Sequence, residues 1–188
     1  MKRVDYLVLL RGINAGGKNV IKMNELKILF EEMGFTDVKT YIQSGNVMFL
    51  DYENDQIKIQ KKIEKTLFKK LNYKINIRIL TFSEINEIVN NKPEGFGEDN
   101  ENKYDVIYLI KLLETKDAVK EIKTKDGVDK IFEGKNVLYI SRLIKNLNKS
   151  HFSKIIDTPI YQNITIRNWN TTRKLYELML ERNNKAML

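Results

Sequence analysis

Val38-Lys39-Thr40-Tyr41-Ile42-Gln43-Ser44-Gly45-Asn46-Val47-Met48-Phe49-Leu50 is the stretch on which the fold turns. Two short apolar runs, Val38–Ile42 and Val47–Leu50, flank a brief polar segment that contains a glycine. Runs rich in β-branched and aromatic residues across so short a turn pair as an antiparallel hairpin. Upstream, Val4–Leu10 is a β-branched run ending in Arg11-Gly12-Ile13-Asn14-Ala15-Gly16-Gly17-Lys18, a buried strand leading into a glycine-rich loop. Asn24 is placed to cap a helix carrying Leu26, Leu29, Phe30 and Met33 on one face. Gly34 ends that helix in the left-handed conformation, and Phe35 folds back on its last turn. Downstream, Ile59, Ile63, Leu67 and Leu71 recur every four residues and mark a second helix, and Ile75–Leu80 is a strand. The order is β-α-β-β-α-β, the split arrangement of ferredoxin-like units.

After a short helix, Glu84–Asn90, the segment Lys92–Asn100 holds one of the two prolines and two glycines, and reads as a linker. The element order then starts again. Tyr104–Leu112 is a strand, Asp117–Lys123 a helix, and Lys130–Glu133 with Val137–Ser141 a hairpin turning at Gly134-Lys135-Asn136. Ser150–Ile156 reads as a short helix and Ile160–Ile166 as a weak strand. A last helix, capped by Asn170 or Thr171, turns Leu175, Leu178 and Met179 inward. The fold class is therefore α+β: two tandem ferredoxin-like units with mostly antiparallel sheets, plus a C-terminal helix. The expected divisions are an N-terminal unit over 1–82, a helix and linker over 83–103, and a C-terminal unit over 104–188.

Composition narrows the classes. At 188 residues, 42% hydrophobic and 31% charged, the chain is globular. It lacks an apolar run long enough for a bilayer, and Asp5 interrupts the place of a signal peptide, so the expectation is a cytoplasmic protein without membrane attachment. With no cysteine, disulfides, thiolate metal sites and cysteine nucleophiles are excluded. Net charge is +8, yet only seven of the 33 basic residues are arginine, and lysine sits with abundant asparagine and isoleucine. That bias is what an AT-rich genome imposes whatever the protein binds, so charge alone does not argue for nucleic acid. Lysines on the helix around residues 58–70 read as a solvated surface.

The stretch Gly12-x-x-x-x-Gly17-Lys18 has the spacing of a phosphate-binding loop and follows a strand, where backbone N–H groups and a lysine could hold phosphate oxygens. Against a nucleotide kinase stand Asn19 in place of the magnesium-holding hydroxyl, the β-branched Val20-Ile21 where a helix should begin, and an antiparallel setting for the strand ending at Asp51. A plain glycine-rich connection and another kind of anion-binding loop remain open. RNA-recognition stacking would need aromatics on the first and third strands, which offer only Tyr6 and Phe49. His151 is the sole histidine and has no visible partner, carboxylate pairs such as Glu31-Glu32 fit solvated positions, and no catalytic constellation, metal set or cofactor motif is present. In Thr165-Ile166-Arg167-Asn168-Trp169-Asn170-Thr171 the only tryptophan and an Arg-Asn pair precede a helix. Trp169 there is better explained as a plug between helix and sheet than as a ligand platform.

With these stretches assembled, the chain resembles the bacterial family catalogued as domain of unknown function 1697. The resemblance is carried by Leu9–Asn19, by Gly34–Val38 running into Tyr41–Val47, and by Thr165-x-Arg167-Asn168-Trp169-x-Thr171 with Lys174-Leu175 after it. Together they span residues 9 to 175, with the region about 80–160 matching by element order alone. The resemblance implies a bacterial cytosolic α+β protein with ferredoxin-like halves. It supplies no activity, cofactor or catalytic residue, and makes Asn19 ordinary instead of a decayed kinase residue.

The expected function is a binding module for an anionic or phosphate-bearing ligand, a small molecule such as a nucleotide or a nucleic acid, through the glycine-rich loop after the first strand. The site residues expected are Arg11, Asn14, Gly16, Gly17, Lys18, Ser44, Asn46, Arg167 and Asn168, polar groups in loops at strand ends. The alternatives are a P-loop-like nucleotide kinase and a protein-interaction module whose motifs serve folding.

Overall fold

The computed structural model describes residues 3–14, 20–110 and 113–185. The chain forms two compact units, one of Met1–Ile85 with Leu175–Leu188 and the other of Asn86–Lys174.

The first unit runs β1 (Val4–Leu10), α1 (Met23–Glu32), β2 (Thr36–Tyr41), β3 (Asn46–Asp51), α2 (Gln56–Leu71), β4 (Ile77–Thr81) and the start of α3 (Phe82–Asn90). Its four strands lie in the order β2-β3-β1-β4. Every adjacent pair is antiparallel, with Val4 opposite Asp51, Tyr6 opposite Thr81 and Tyr41 opposite Asn46. This is the ferredoxin-like arrangement. It removes the parallel sheet that a P-loop kinase requires.

Strand alternation sends Tyr6, Val8, Leu10, Val47 and Phe49 to one face, where they pack with Leu26, Phe30, Ile59, Ile63 and Leu67 of the two helices. Phe35 stacks on Phe49 with ring centroids 4.1 Å apart. Tyr6 and Phe49 are therefore core residues under the helices, which leaves no base-stacking platform of the RNA-recognition kind.

Two capping expectations divide. Gly34 does end α1 at φ 86°, and the Phe35 N–H returns to the Phe30 carbonyl at 3.3 Å. Asn24 does not cap it: the cap position is two residues earlier, at Lys22, whose side chain makes no cap bond. At α2, Asp55 accepts from the N–H groups of Ile57 and Lys58.

The opposite face of the first sheet carries Asp5, Leu7 and Leu9, all buried. Arg182, from the last helix, reaches Asp5 there with Nε 3.1 and 3.0 Å from its two carboxylate oxygens. The same guanidinium bonds the Asp37 carbonyl at 3.0 Å and its carboxylate at 2.9 Å. Asp37 sits at an irregularity between Thr36 and Lys39 in β2, with φ 48°. The bulge presents both Asp37 groups to one arginine.

The second unit repeats the plan with β5 (Asn102–Leu109), α4 (Thr115–Glu121), β6 (Asp129–Gly134), β7 (Val137–Leu143) and β8 (Ile164–Asn168), in the order β6-β7-β5-β8 and antiparallel throughout. The tight turn Lys135-Asn136 joins β6 to β7, with Asn136 at φ 59°. The end of the strand expected over Tyr104–Leu112 falls partly on residues 111 and 112, outside the described residues.

Where the first unit has its second crossover helix, this one has three 3-10 turns, Ile144–Lys149, Phe152–Asp157 and Pro159–Asn163. The single helix expected over Ser150–Ile156 is replaced by the middle turn. Asn146, Asn148, Ser150 and Ser153 compete for backbone hydrogen bonds, and Pro159 removes a donor, so a long helix cannot form. Phe152, Ile155 and Ile160 still reach the core beside Ile107, Leu138 and Ile140. Helix α5 (Trp169–Lys185) begins in this unit and belongs to the first from Leu175 onward.

Candidate functional site

At the end where β1 leaves the first sheet, three chain segments are tied together. The Leu10 N–H bonds the Gly45 carbonyl at 2.8 Å, bringing the β2–β3 turn beside the departing strand. Arg11, half-buried, donates its backbone N–H to the Asn76 carbonyl at 3.0 Å, fixing the lead into β4 on the other side. Asn14 does the rest. Its Nδ2 donates to the carbonyls of Ile21 at 3.0 Å and Gln43 at 3.1 Å, and its Oδ1 accepts from the Ile21 N–H at 2.8 Å. One side chain thus closes the loop between residues 14 and 21 and clips it to the hairpin turn. Asparagine suits the position because its backbone stands at φ 53°, a conformation its short polar side chain tolerates.

Glycine is required at 45. Its φ is 70°, and a Cβ there would lie 2.7 Å from Ile13 Cδ1 and 3.0 Å from Leu10 Cβ. The close approach of loop and turn depends on that missing atom. Asn46 is fully buried, and its Nδ2 donates to the Tyr41 carbonyl at 3.0 Å and to Ser44 Oγ at 2.9 Å. Its amide is spent inside the turn. Arg11, Asn14, Ser44 and Asn46 are thus brought to one end of one sheet, Asn14 and Asn46 as braces. Gly16, Gly17 and Lys18 lie outside the described residues.

Electrostatics at this end follow from composition. Residues 11–22, 41–46 and 72–76 contain Arg11, Lys18, Lys22 and Lys74, and no aspartate or glutamate. Lys22 and Lys74 are exposed. The Glu64 carboxylate, on α2 beside the start of β4, accepts from the Ile77 N–H at 3.2 Å and from Gln60 at 3.0 Å. Apolar exposure is present as well: Ile42 is 48% exposed and Val20 70%. Ile42 also stands at φ 45°, which had no signal in the sequence, because an isoleucine in a strand-rich run gives no sign of leaving the β region.

Arg167 and Asn168 belong to the second unit. Arg167 is 7% exposed and bonds Thr165 Oγ1 and the Ile166 carbonyl, each at 2.9 Å. Burial draws its guanidinium down to about 10, with the nearby Tyr108 acting the other way. Asn168 Oδ1 accepts the Asn170 N–H at 2.9 Å, and its Nδ2 donates to the Tyr104 carbonyl at 3.1 Å. Asn168 is therefore the cap of α5, in place of the expected Asn170 or Thr171. It also lines a cleft of about 440 Å³ with Asp99, Asn102, Lys103 and Tyr104. The Tyr104 hydroxyl donates to Asp99, and burial followed by that carboxylate pushes the phenol up to about 12.

Trp169 is buried edge-on against Phe96, ring centroids 5.3 Å apart, and works as a plug. His151 is exposed, and its backbone N–H donates to the Asp129 carboxylate at 2.9 Å. Among the described residues no group of three His, Asp or Glu side chains could hold a metal ion. No helix among them is long and apolar enough to cross a membrane.

Comparisons place the chain in a family without a chemical label. A solved structure of a conserved bacterial protein from Streptococcus pneumoniae superposes with a TM-score of 0.83 at 24% identity, covering 95% of this chain and 99% of that one. At that identity the likeness establishes the fold. No curated protein matches the sequence. The family model described as "Protein of unknown function (DUF1697)" matches residues 3–139. That span covers most of the chain, and the chain belongs to this family.

Proposed function

We propose that the chain is a binding module for an anionic, phosphate-bearing ligand, held at the end of the first sheet where β1 gives way to the glycine-rich loop. One observation carries the reading. Three segments clipped together by Asn14, by Gly45 and by the Arg11 N–H on Asn76 bear four basic side chains and no acidic one. A cationic rim on a braced scaffold suits a dianionic ligand better than a neutral one. Arg11 and Lys18 are assigned the charge, Gly16 and Gly17 the close approach of backbone to phosphate, and Ser44 a hydroxyl at the rim. Asn14 and Asn46 hold the loops in register. Arg167 and Asn168, engaged in the second unit, are not needed by it.

A thermal-shift series with pyrophosphate, nucleoside triphosphates and polyphosphate tests this. A ligand at about 100 times its Kd adds about 2.7 kcal/mol to the folded state, which for a chain of this size raises Tm by about 5–10 °C. The shift should vanish in Lys18→Ala. Absence of any shift with millimolar phosphates would refute the reading.

A further inference from the structure

Ile42 stands out at that same end of the sheet. It sits at φ 45° between β2 and the hairpin turn, and is 48% exposed. A β-branched residue in the left-handed region is a true outlier, where glycine or asparagine would sit without strain. Its exposed side chain gains little from the core in return. Strain of this kind persists where the surroundings over-determine it, and it collects where a side chain has to be presented. The surroundings here are known: Gln43, the next residue, is held by Asn14, and Gly45 is held by Leu10. Val20, 70% exposed, stands next to Ile21, which Asn14 ties to that same turn.

We propose that this end binds single-stranded nucleic acid, with Ile42 laid against unstacked bases while Arg11, Lys22 and Lys74 engage the phosphates. The inference rests on the anion-binding reading and adds the base contact to it. An inorganic phosphate gives an isoleucine nothing to touch. A single strand offers both chemistries at once, apolar base faces and a run of anions, whereas a duplex hides its base faces in the stack. The absence of carboxylates in the three segments suits a polyanion and leaves no partner for a basic peptide.

The test is fluorescence anisotropy on the full chain with a labelled single strand of about 16 nucleotides, which spans the range of site sizes such proteins use. Polyphosphate, a duplex of equal length and polyglutamate serve as competitors. Ile42→Gly should weaken strand binding about fivefold or more, the share expected for covering a half-exposed isoleucine. It should leave competition by polyphosphate unchanged, and hold or raise the urea midpoint, because glycine adopts this φ without strain. Ile42→Asn, which also tolerates the backbone, should weaken the strand likewise. Lys22→Ala and Lys74→Ala should each reduce the salt slope by about 0.7.

If both Ile42 variants bind the strand like the wild type while the lysine variants bind less, the base contact is wrong and the anion site stands. If the wild type binds neither strand nor polyphosphate, the anion reading falls, and this one with it. If polyglutamate competes as well as the strand, the partner is an acidic peptide and the nucleic-acid assignment is overturned.

Discussion

Replacing Arg182 by methionine should be among the most damaging single changes in the first unit. The side chains of Arg182 and Asp5 are 5% and 6% exposed, and Nε faces both carboxylate oxygens at 3.0–3.1 Å. Removing one partner of a buried pair leaves the other charge stranded, a loss of about 3–5 kcal/mol. Two details favour the lower end. Arg182 Nη2 is buried without a partner, so methionine also removes an unsatisfied group. Asp37, the second carboxylate, is 46% exposed and can turn to water.

The pH dependence discriminates further. Burial already raises the Asp5 carboxyl above its ordinary value, with Arg182 acting in the opposite direction. Without the guanidinium it rises further. A carboxyl raised in the folded state weakens the fold above that pKa, and the penalty fades as pH falls through it. Urea denaturation followed by circular dichroism should therefore show a wide gap between Arg182→Met and wild type at pH 7 that narrows toward pH 4. Asp5→Asn combined with Arg182→Met should recover most of the loss, since exchanging a whole buried pair for neutral groups is often close to neutral. A loss under about 1 kcal/mol at pH 7, or a gap indifferent to pH, would refute the account.

Gly97→Ala should displace the indole of Trp169, because a Cβ at Gly97 would clash with its Nε1 and φ is 79°. As Trp169 is the only tryptophan, a red shift in intrinsic fluorescence reports it directly. Asn168→Ala should lower stability by about 1 kcal/mol through loss of the α5 cap, while Asn168→Asp keeps the acceptor and most of the stability in thermal melts. At Asp129, burial pushes the carboxyl up, but the neighbouring Ser150 hydroxyl and hydrogen bonds from the N–H groups of Lys125, His151 and Phe152 outweigh it and hold the pKa below its ordinary value. A depressed carboxylate stabilises above its unfolded pKa and loses that contribution as pH falls through the folded one. Asp129→Asn should therefore destabilise at pH 7 and flatten the decline in urea midpoint below about pH 4.

Much of the architecture is legible along the chain because it is written in neighbours. The Val38–Leu50 hairpin, the stop at Gly34 and the four-residue rhythm of Ile59, Ile63 and Leu67 depend on contacts within a few positions, and the structure bears them out. Convergence of Arg11, Asn14, Ser44 and Asn46 follows from the same logic, since the ends of paired strands share an edge of the sheet. Local chemistry misleads where two polar residues compete. Asn24 and Asn170 both look like caps, but Lys22 precedes α1 and Asn168 takes the role at α5. Which asparagine caps α5 depends on where β8 ends, and pairing with Asp105 decides that.

By itself, the sequence determined two antiparallel four-stranded units and the complete β-α-β-β-α-β order of the first, because hydrophobic periodicity and turn glycines act over short range. Only the tertiary structure decided that Asp5 answers Arg182 from 177 positions away, that Asn14 is a clip between loops, and that Ile42 is held in a left-handed backbone. Those outcomes depend on through-space partners, and a partner many residues distant leaves no mark on local spacing or composition.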